Sequence, residues 1–472
     1  MRRGDTHDVI VVGAGSAGLT AAGGLAQLGL RVALVERAVM GGECLTTGCV
    51  PSKALLAAAR RARDMREADE VGVAAAAPAP DLGRAMAHVR AAQAAIAPRD
   101  SERRYAGWGV EVVRGSARFT GPRSLEVDGR RLAAPRIVLA VGSRPALPPL
   151  PGLEATPFLT TETVWSLETL PPRLLILGGG SAGLELAQAF ARLGSRVTVV
   201  ESGRALSHDD PAAAAVVLTR LAAEGVDVRE AAPGRRVDAD AGGEVRLLLE
   251  TGEILHAERL LVATGREAVV DGLDLARANV RVGDDGIEVD AARRTSNRRI
   301  YAIGDCRAGP RFSHVAGYEG ARVVSAIGLG FSSRVDFAAL PRVTYTDPEL
   351  AQVGLTEAEA RRRFGEVETS CASFAENDRA VVEAATEGFV KLVRARGRLR
   401  GATVVGKGAG DLLLPLGLCI GGKASVSALA GVIAPYPTRG EAAKEAAYVA
   451  FQPLLYGRWM RRWARMLRLS RR

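Results

Sequence analysis

The sequence predicts an α/β chain containing two related domains, and three observations carry that expectation. One unit occurs twice: DVIVVGAGSAGLTAAGGLAQLGLRVALVER begins at Asp8 and RLLILGGGSAGLELAQAFARLGSRVTVVES at Arg173. Each copy reads as a short apolar strand, a glycine turn, an amphipathic helix and a β-branched strand ending in an acid, Glu36 or Glu201. The 472 residues are 47% hydrophobic and 25% charged, with 54 glycines and only 4% aromatics. That composition belongs to a globular chain of close-packed units with tight turns, and at roughly 100–200 residues per domain it spans several of them.

The spacing inside the repeat identifies the unit. Gly13, Gly15 and Gly18 align with Gly178, Gly180 and Gly183, and in each copy the acid follows the third glycine by 18 residues. In a Rossmann-like dinucleotide site the first glycine makes the sharp turn and the second admits the pyrophosphate to the backbone. The third lets helix and strand pack closely. The pyrophosphate sits on the helix N-terminus, where free N–H groups and the dipole favour an anion. Glu36 and Glu201 are placed to accept hydrogen bonds from ribose hydroxyls. A carboxylate repels a 2′-phosphate, so Glu201 favours NADH over NADPH, while Arg204, three residues on, softens that preference. Two dinucleotide sites in one chain imply two cofactors exchanging electrons.

Several classes are disfavoured. Five cysteines, an odd number in a long chain, argue against a secreted disulfide scaffold. No apolar run approaches the roughly 20 residues that span a bilayer. Val9–Val12 is too short for a signal-peptide core of about 7–15 residues. The expected location is the cytoplasm.

After the first unit comes GGECLTTGCVPSKALLAAARRA, with Cys44 and Cys49 five residues apart. Two thiols without neighbouring Cys or His supply half a tetrahedral zinc site, and two unrelated buried thiols are a further alternative. Five residues of ideal helix rise about 7.5 Å, so a Cys44–Cys49 bond needs a distorted turn, which Thr46, Thr47 and Gly48 provide. The Ala- and Leu-rich run after Pro51 puts Cys49 near a helix N-terminus, which lowers a thiol's pKa.

GGECLTTGCVPSK between two glycine units resembles the class I pyridine nucleotide–disulfide oxidoreductases, which include glutathione reductase, dihydrolipoamide dehydrogenase and mercuric reductase. Further motifs extend the resemblance over nearly the whole chain: IVLAVGSRP with Gly142, LLVATGRE with Gly265, IYAIGDC with Asp305, RFSHVAGYEG with Ala316, and PRVTYTDPELAQVGLTEAEA. It implies two Rossmann-like domains, for FAD and NAD(P), and a C-terminal α+β dimerisation domain. It also implies FAD on the first unit, its ribityl chain held by Asp305, and NAD(P)H on the second, with hydride passing from nicotinamide to flavin. Cys49 then faces the flavin ring and Cys44 meets the substrate. Lys53 and Glu185 match the lysine and glutamate that pair beside the flavin.

The chain departs from the disulfide-reducing members at two positions. Those members carry His-Pro-Thr followed by a glutamate, supplied by the partner subunit, whose imidazole shuttles protons. Here the segment reads Tyr436, Pro437, Thr438 and then Glu441. A phenol with pKa about 10 is a poor base, though it can donate a hydrogen bond or touch a metal; a packed dimer-interface residue is the alternative. The mercuric-reductase branch is similar at this tyrosine, but its vicinal C-terminal cysteines are missing from FQPLLYGRWMRRWARMLRLSRR. Ser181 also stands where several disulfide-reducing relatives have a tyrosine over the flavin. The acceptor therefore stays open among Hg(II), Cu(II), a small disulfide and quinones. The rival functions are a quinone reductase or oxidase acting from flavin directly, and a low-turnover membrane-docked redox sensor.

The expected organisation is an FAD domain over 1–150, an NAD(P) domain over 151–265, a resumed FAD/central part over 266–340, a dimerisation domain over 341–457 and a basic tail over 458–472. Two helices are expected between Lys53 and Gly107. Cys306, Cys371 and Cys419 read as small buried hydrophobes, and His314 as a residue that sets backbone position. A homodimer is expected, with Tyr436 facing the partner's Cys44. The net charge of +10 owes most of its excess to seven arginines in the last 15 residues, which disfavours a nucleic-acid-binding body. Trp459, Trp463 and Met466 share a helical face, so the tail reads as peripheral contact with an anionic membrane, as a solvated helix, or as a helix packed on the dimer.

Overall fold

A computed structural model describes residues 6–332, 334–452 and 456–469; Arg471 and Arg472 of the basic tail lie outside the described residues. The chain divides into two compact units, one made of residues up to Ala57 with Asp81–Leu170 and Arg259–Val335, the other of Ala58–Pro80, Pro171–Glu258 and the chain from Asp336 onward.

The first unit is built on a five-stranded parallel sheet in the order Ile300–Ala302, Arg136–Leu139, Val9–Val12, Val32–Glu36, Glu111–Arg114. Continuous Val/Ile/Leu runs form such strands because both faces are covered. Val9 and Val11 join a core with Leu19, Ala22 and Leu25 of the helix Ser16–Gln27 and Val323 of the helix Ser313–Leu329. Ile10 and Val12 point the other way, into a core with Phe119, Leu125 and Leu132. Those three belong to an antiparallel sheet of Ala117–Gly121, Ser124–Val127 and Arg130–Ala133. The period of two along one strand thus decides which layer each side chain enters.

The second unit repeats the glycine-turn motif. Arg173–Leu177, Arg196–Val200 and Asp227–Arg229 pair in parallel, and the helix Ser181–Arg192 follows the turn. The third glycine has a steric reason in both copies. A Cβ on Gly18 would stand 1.8 Å from the Gly13 carbonyl oxygen, and one on Gly183 would stand 2.0 Å from that of Gly178.

From Pro341 the chain forms a five-stranded antiparallel sheet ordered Pro341–Thr344, Glu349–Gly354, Arg398–Gly406, Phe389–Ala395, Glu368–Ser373. Its core takes in Val390, Leu392 and Val404, with Leu416 from the helix Leu413–Ile420 and Ala446 from the helix Gly440–Val449. This is the α+β segment expected after residue 341.

Two features depart from the sequence reading. Between Lys53 and Gly107 there are three helices, because Ser101 caps a short third one, Glu102–Gly107, beyond Cys49–Arg66 and Leu82–Ile96. Residues 58–80 group with the second unit, and the first unit resumes at Arg259. The grouping of 58–80 has an ionic basis: Arg63 Nη1 lies 2.6 Å from Asp347 Oδ2.

Candidate active site

The cysteine segment folds as two helices broken by a tight reversal. Gly42–Thr46 carries Cys44, and Cys49 is the first residue of Cys49–Arg66. The amides of Thr47 and Gly48 both donate to the Glu43 carbonyl, at 2.9 and 2.7 Å. A Cβ on Gly48 would lie 3.1 Å from that carbonyl oxygen and 3.4 Å from Cys44 Cα, so the reversal is tight enough to favour glycine there. The Nε1 of Trp165 donates to the Thr47 carbonyl at 2.8 Å and anchors the turn. Nothing in the sequence pointed to this tryptophan.

Cys49 is exposed and Cys44 half-buried. Their side chains share a hydrogen bond, which is the largest cause pushing the Cys44 thiol far up; burial and the negative charge of Cys49 add to it. Cys49 Sγ lies 3.3 Å from Ser313 Oγ, at the start of the helix Ser313–Leu329. A helix N-terminus and a hydroxyl both favour a thiolate. Ser313 sits inside RFSHVAGYEG, where the sequence reading singled out its neighbour His314; the ring of His314 stacks on Phe312 at 5.2 Å between centroids.

Cys44 borders a cavity of about 390 Å³ that also meets Gly13, Gly15, Glu36, Gly142, Asp305 and Ala316. Six residues expected at a flavin site are thereby brought together beside Cys44, the thiol expected to meet the substrate, whereas Cys49, expected against the flavin ring, is not among the lining residues. Gly18 serves the turn from behind, and Lys53 lies outside the lining with its Nζ 3.3 Å from Ser52 Oγ. Glu36 is buried, its two oxygens accepting the amides of Ala14 and Ala38 at 2.7 Å each. Each carboxylate oxygen keeps a further lone pair.

A polar chain missed in the sequence runs along the cavity. Arg266 Nη2 lies 2.5 Å from Glu43 and 3.2 Å from Glu162, and Arg266 Nε donates to Ser143 Oγ at 2.8 Å. Ser143 in turn donates to Asp305 at 2.8 Å. Burial pushes the Glu43 carboxyl up to about 7 against the pull of Arg266, helped by Asp305, Glu162 and Cys49. Glu319 fixes the turn that presents Asp305. It is wholly buried, accepts the Gly304 amide at 2.8 Å and lies 2.8 Å from the buried Arg307 guanidinium.

In the second unit Glu201 repeats the arrangement of Glu36, accepting the amides of Gly179 and Gly203 at 2.8 Å each. Gly178, Gly180 and Gly183 form its glycine turn, whereas Gly265 lies in the first unit, where its carbonyl accepts the Ala146 amide. Four polar residues of the helix Ser181–Arg192 form a stripe against one segment. Ser181 pairs with Thr344 at 2.7 Å, Glu185 accepts the Tyr345 amide, Gln188 accepts the Asp347 amide, and Arg192 meets the Asp347 carboxylate at 3.1 Å.

Tyr436 is 73% exposed, and its hydroxyl donates to Asp378 Oδ2 at 2.8 Å. That hydrogen bond, with the Asp378 charge, pushes the phenol above its ordinary value. Glu441 accepts the Thr438 amide at 2.9 Å. Cys306 is a buried thiol raised to about 12 by burial, and Cys419 is buried; Cys371 is exposed, correcting the expectation that all three are core residues. It lies on the edge strand Glu368–Ser373, where alternate side chains face solvent.

Comparison with known families places these features. Residues 7–320 match the pyridine nucleotide-disulphide oxidoreductase model, and residues 340–447 match the dimerisation domain of the same family. The chain belongs to that family. A mercuric reductase of Streptomyces lividans is 37% identical, over 93% of this chain and 95% of its own length. A dihydrolipoyl dehydrogenase of Thermus scotoductus is 38% identical, over 94% and 97%. Among solved structures, the Cu(II) complex of the HOCl-induced flavoprotein disulfide reductase RclA from Escherichia coli superposes with a TM-score of 0.84 at 26% identity, covering 94% of this chain and 99% of that one.

Pyridine nucleotide-disulphide oxidoreductases use FAD and NAD(P)H, and the first cavity fits FAD. The backbone of Gly13–Ala17 borders it, Glu36 at the end of the strand Val32–Glu36 lines it, and so does Asp305. A Cβ on Gly15 would approach nothing nearer than Gly42 Cα at 3.8 Å, which leaves the turn open to a pyrophosphate. The chain is a flavin-dependent disulfide oxidoreductase of this family, carrying the family's dimerisation domain.

Proposed function

We propose that this chain draws electrons from NADH and delivers them through Cys44 and Cys49 to a soft metal ion of the Hg(II) or Cu(II) kind or to a small oxidant. The observation that carries the reading is a hydrogen-bonded thiol pair whose Cys44 borders the cavity, combined with Tyr436 donating a hydrogen bond to Asp378 where disulfide-reducing relatives keep an imidazole. Thiolates are soft ligands, and a metal ion held by two of them needs no proton shuttle to accept electrons. The mercuric reductases and the Cu(II) complex of RclA are the relatives whose names carry such ions.

FAD, when bound, supplies the relay that takes a hydride from NAD(P)H and passes two electrons to the sulfur pair. The chain's residues do the rest. Gly13, Gly15 and Gly18 hold the pyrophosphate, Glu36 and Asp305 hold hydroxyls, and Gly142 and Ala316 line the wall. Cys49 is the sulfur assigned to the flavin side, and Ser313 and the helix N-terminus favour its thiolate form. Cys44 meets the acceptor. Lys53 and Glu185 are assigned the roles of the family's catalytic lysine and glutamate, and Glu441 holds the Thr438 amide next to Tyr436 within its own chain of the homodimer. Gly178, Gly180, Gly183 and Glu201 hold NADH, and Gly265 belongs to the closing turn.

The test is anaerobic reduction with NADH followed by Hg(II), Cu(II), quinones and a small disulfide in turn. Cys44→Ala is expected to lose metal-ion reduction while keeping NADH oxidation with a dye. Retained acceptor reduction in Cys44→Ala would instead establish direct transfer to a quinone or oxygen. That second reading is favoured by the small Ser181 side chain, tied down by Thr344. Turnover well below about 1 s⁻¹ with every acceptor, against a median near 10 s⁻¹ for enzymes, would point to a redox sensor.

A further inference from the structure

The helix Arg458–Leu469 has no part in the chemistry above. Five of its twelve residues are arginine and none is acidic. At 100° per residue, Trp459, Trp463 and Met466 fall in one sector about 60° wide. Arg461, with Arg465 and Arg468 following it at i+4 and i+7, falls in a sector of similar width on the opposite side. The apolar sector faces solvent: Trp459 is 81% exposed, Trp463 56% and Met466 57%. Two tryptophans, large side chains with a polar N–H, are seldom left so open on a helix unless a surface covers them.

The charge selects that surface. A sector of cations beside tryptophans complements anionic headgroups overlying an acyl region, and such a helix lies in the interface plane with its apolar side down. A twelve-residue helix is about 18 Å long, short of a bilayer's hydrocarbon core of about 30 Å. Among the described residues no helix is long and apolar enough to cross a membrane. A short contact, Tyr448 Oη to Tyr456 Oη at 2.6 Å, ties the start of this segment to the helix Gly440–Val449.

We propose that the helix Arg458–Leu469 docks the protein on an anionic lipid surface, with Trp459, Trp463 and Met466 seated at the headgroup–acyl boundary and the arginines toward phosphate. This inference is independent of the acceptor and of the thiol chemistry.

The test is flotation of the full FAD-loaded chain with vesicles of phosphatidylcholine alone and of phosphatidylcholine mixed with phosphatidylglycerol. The wild type is expected to partition at least about tenfold better into the anionic vesicles and to lose that gain at high salt, since exposed charges are screened over about 3 Å at 1 M. The double variant Trp459→Ser/Trp463→Ser and the triple variant Arg458→Glu/Arg461→Glu/Arg462→Glu are each expected to stay with the unbound protein. Both keep wild-type NADH-dependent dye reduction, which shows that they fold. Equal flotation of the tryptophan variant and the wild type would overturn the proposal, as would equal binding to both lipids. A fall in sedimentation mass in the variants, without any lipid binding by the wild type, would assign the face to a second copy of the chain and overturn it too.

Discussion

Cys49 Sγ and Ser313 Oγ lie 3.3 Å apart, a contact that favours a thiolate at Cys49. A hydrogen bond to a charged group contributes about 1.5–3 kcal/mol, so Ser313→Ala is expected to raise the pH midpoint of Cys49 ionisation by about 1–2 units. The readout is the long-wavelength thiolate–flavin absorbance after anaerobic reduction, titrated with pH. An unchanged midpoint would remove Ser313 from the site. Cys49→Ser is expected to abolish that band outright, whereas Cys44→Ser keeps it, because in the proposed arrangement Cys49 is the sulfur on the flavin side.

At the scale of elements, two buried ionic contacts hold the turns that matter. Glu319 accepts the Gly304 amide and pairs with Arg307, both side chains wholly buried. Glu319→Ala strands the Arg307 charge in the interior, and breaking such a pair costs about 3–5 kcal/mol. Urea unfolding of the variant is expected to show that loss together with weaker FAD retention, since Gly304 and Asp305 share the turn. In the second unit Asp347 faces Arg192, Arg63 and Arg60. Burial alone would raise its pKa, but the three guanidinium groups outweigh it and hold the carboxyl below its ordinary range. A depressed acid contributes stability that is complete above the unfolded value near 3.9 and is lost as pH falls through the folded value. Asp347→Asn is therefore expected to lower stability at pH 7 and to flatten the acid limb of the stability curve below about pH 4, measured by thermal unfolding across pH.

For the whole molecule, the dimerisation domain at residues 340–447 makes the assembled particle the unit of function we propose. Sedimentation is expected to give twice the mass of a 49.5 kDa chain. Tyr436→His then restores an imidazole at the position of the family's proton shuttle. General-base catalysis contributes about 10²–10⁴-fold, so the variant is expected to gain turnover with a small disulfide by that order while Cu(II) or Hg(II) reduction moves little. Equal effects on both acceptors would remove the distinction drawn between proton-dependent and proton-independent reduction.

Local chemistry made much of this legible in advance. The repeated glycine spacing, the closing acids and the Cys44–Cys49 segment each depend on contacts within a few dozen residues, so Gly13, Gly15, Glu36 and the position of Cys49 at a helix start could be read directly. The sequence by itself determined the two dinucleotide units and the thiol pair, because turn sterics and helix-end electrostatics are local. Only the tertiary structure decided which groups surround them. Ser313 reaches Cys49 across 264 residues and Trp165 reaches Thr47 across 118. Arg266 gathers Glu43 and Glu162, and Asp347 collects its arginines, through folding that brings together segments distant in the sequence. No period or motif encodes such meetings, since each partner alone is an ordinary polar residue until burial makes its pairing obligatory.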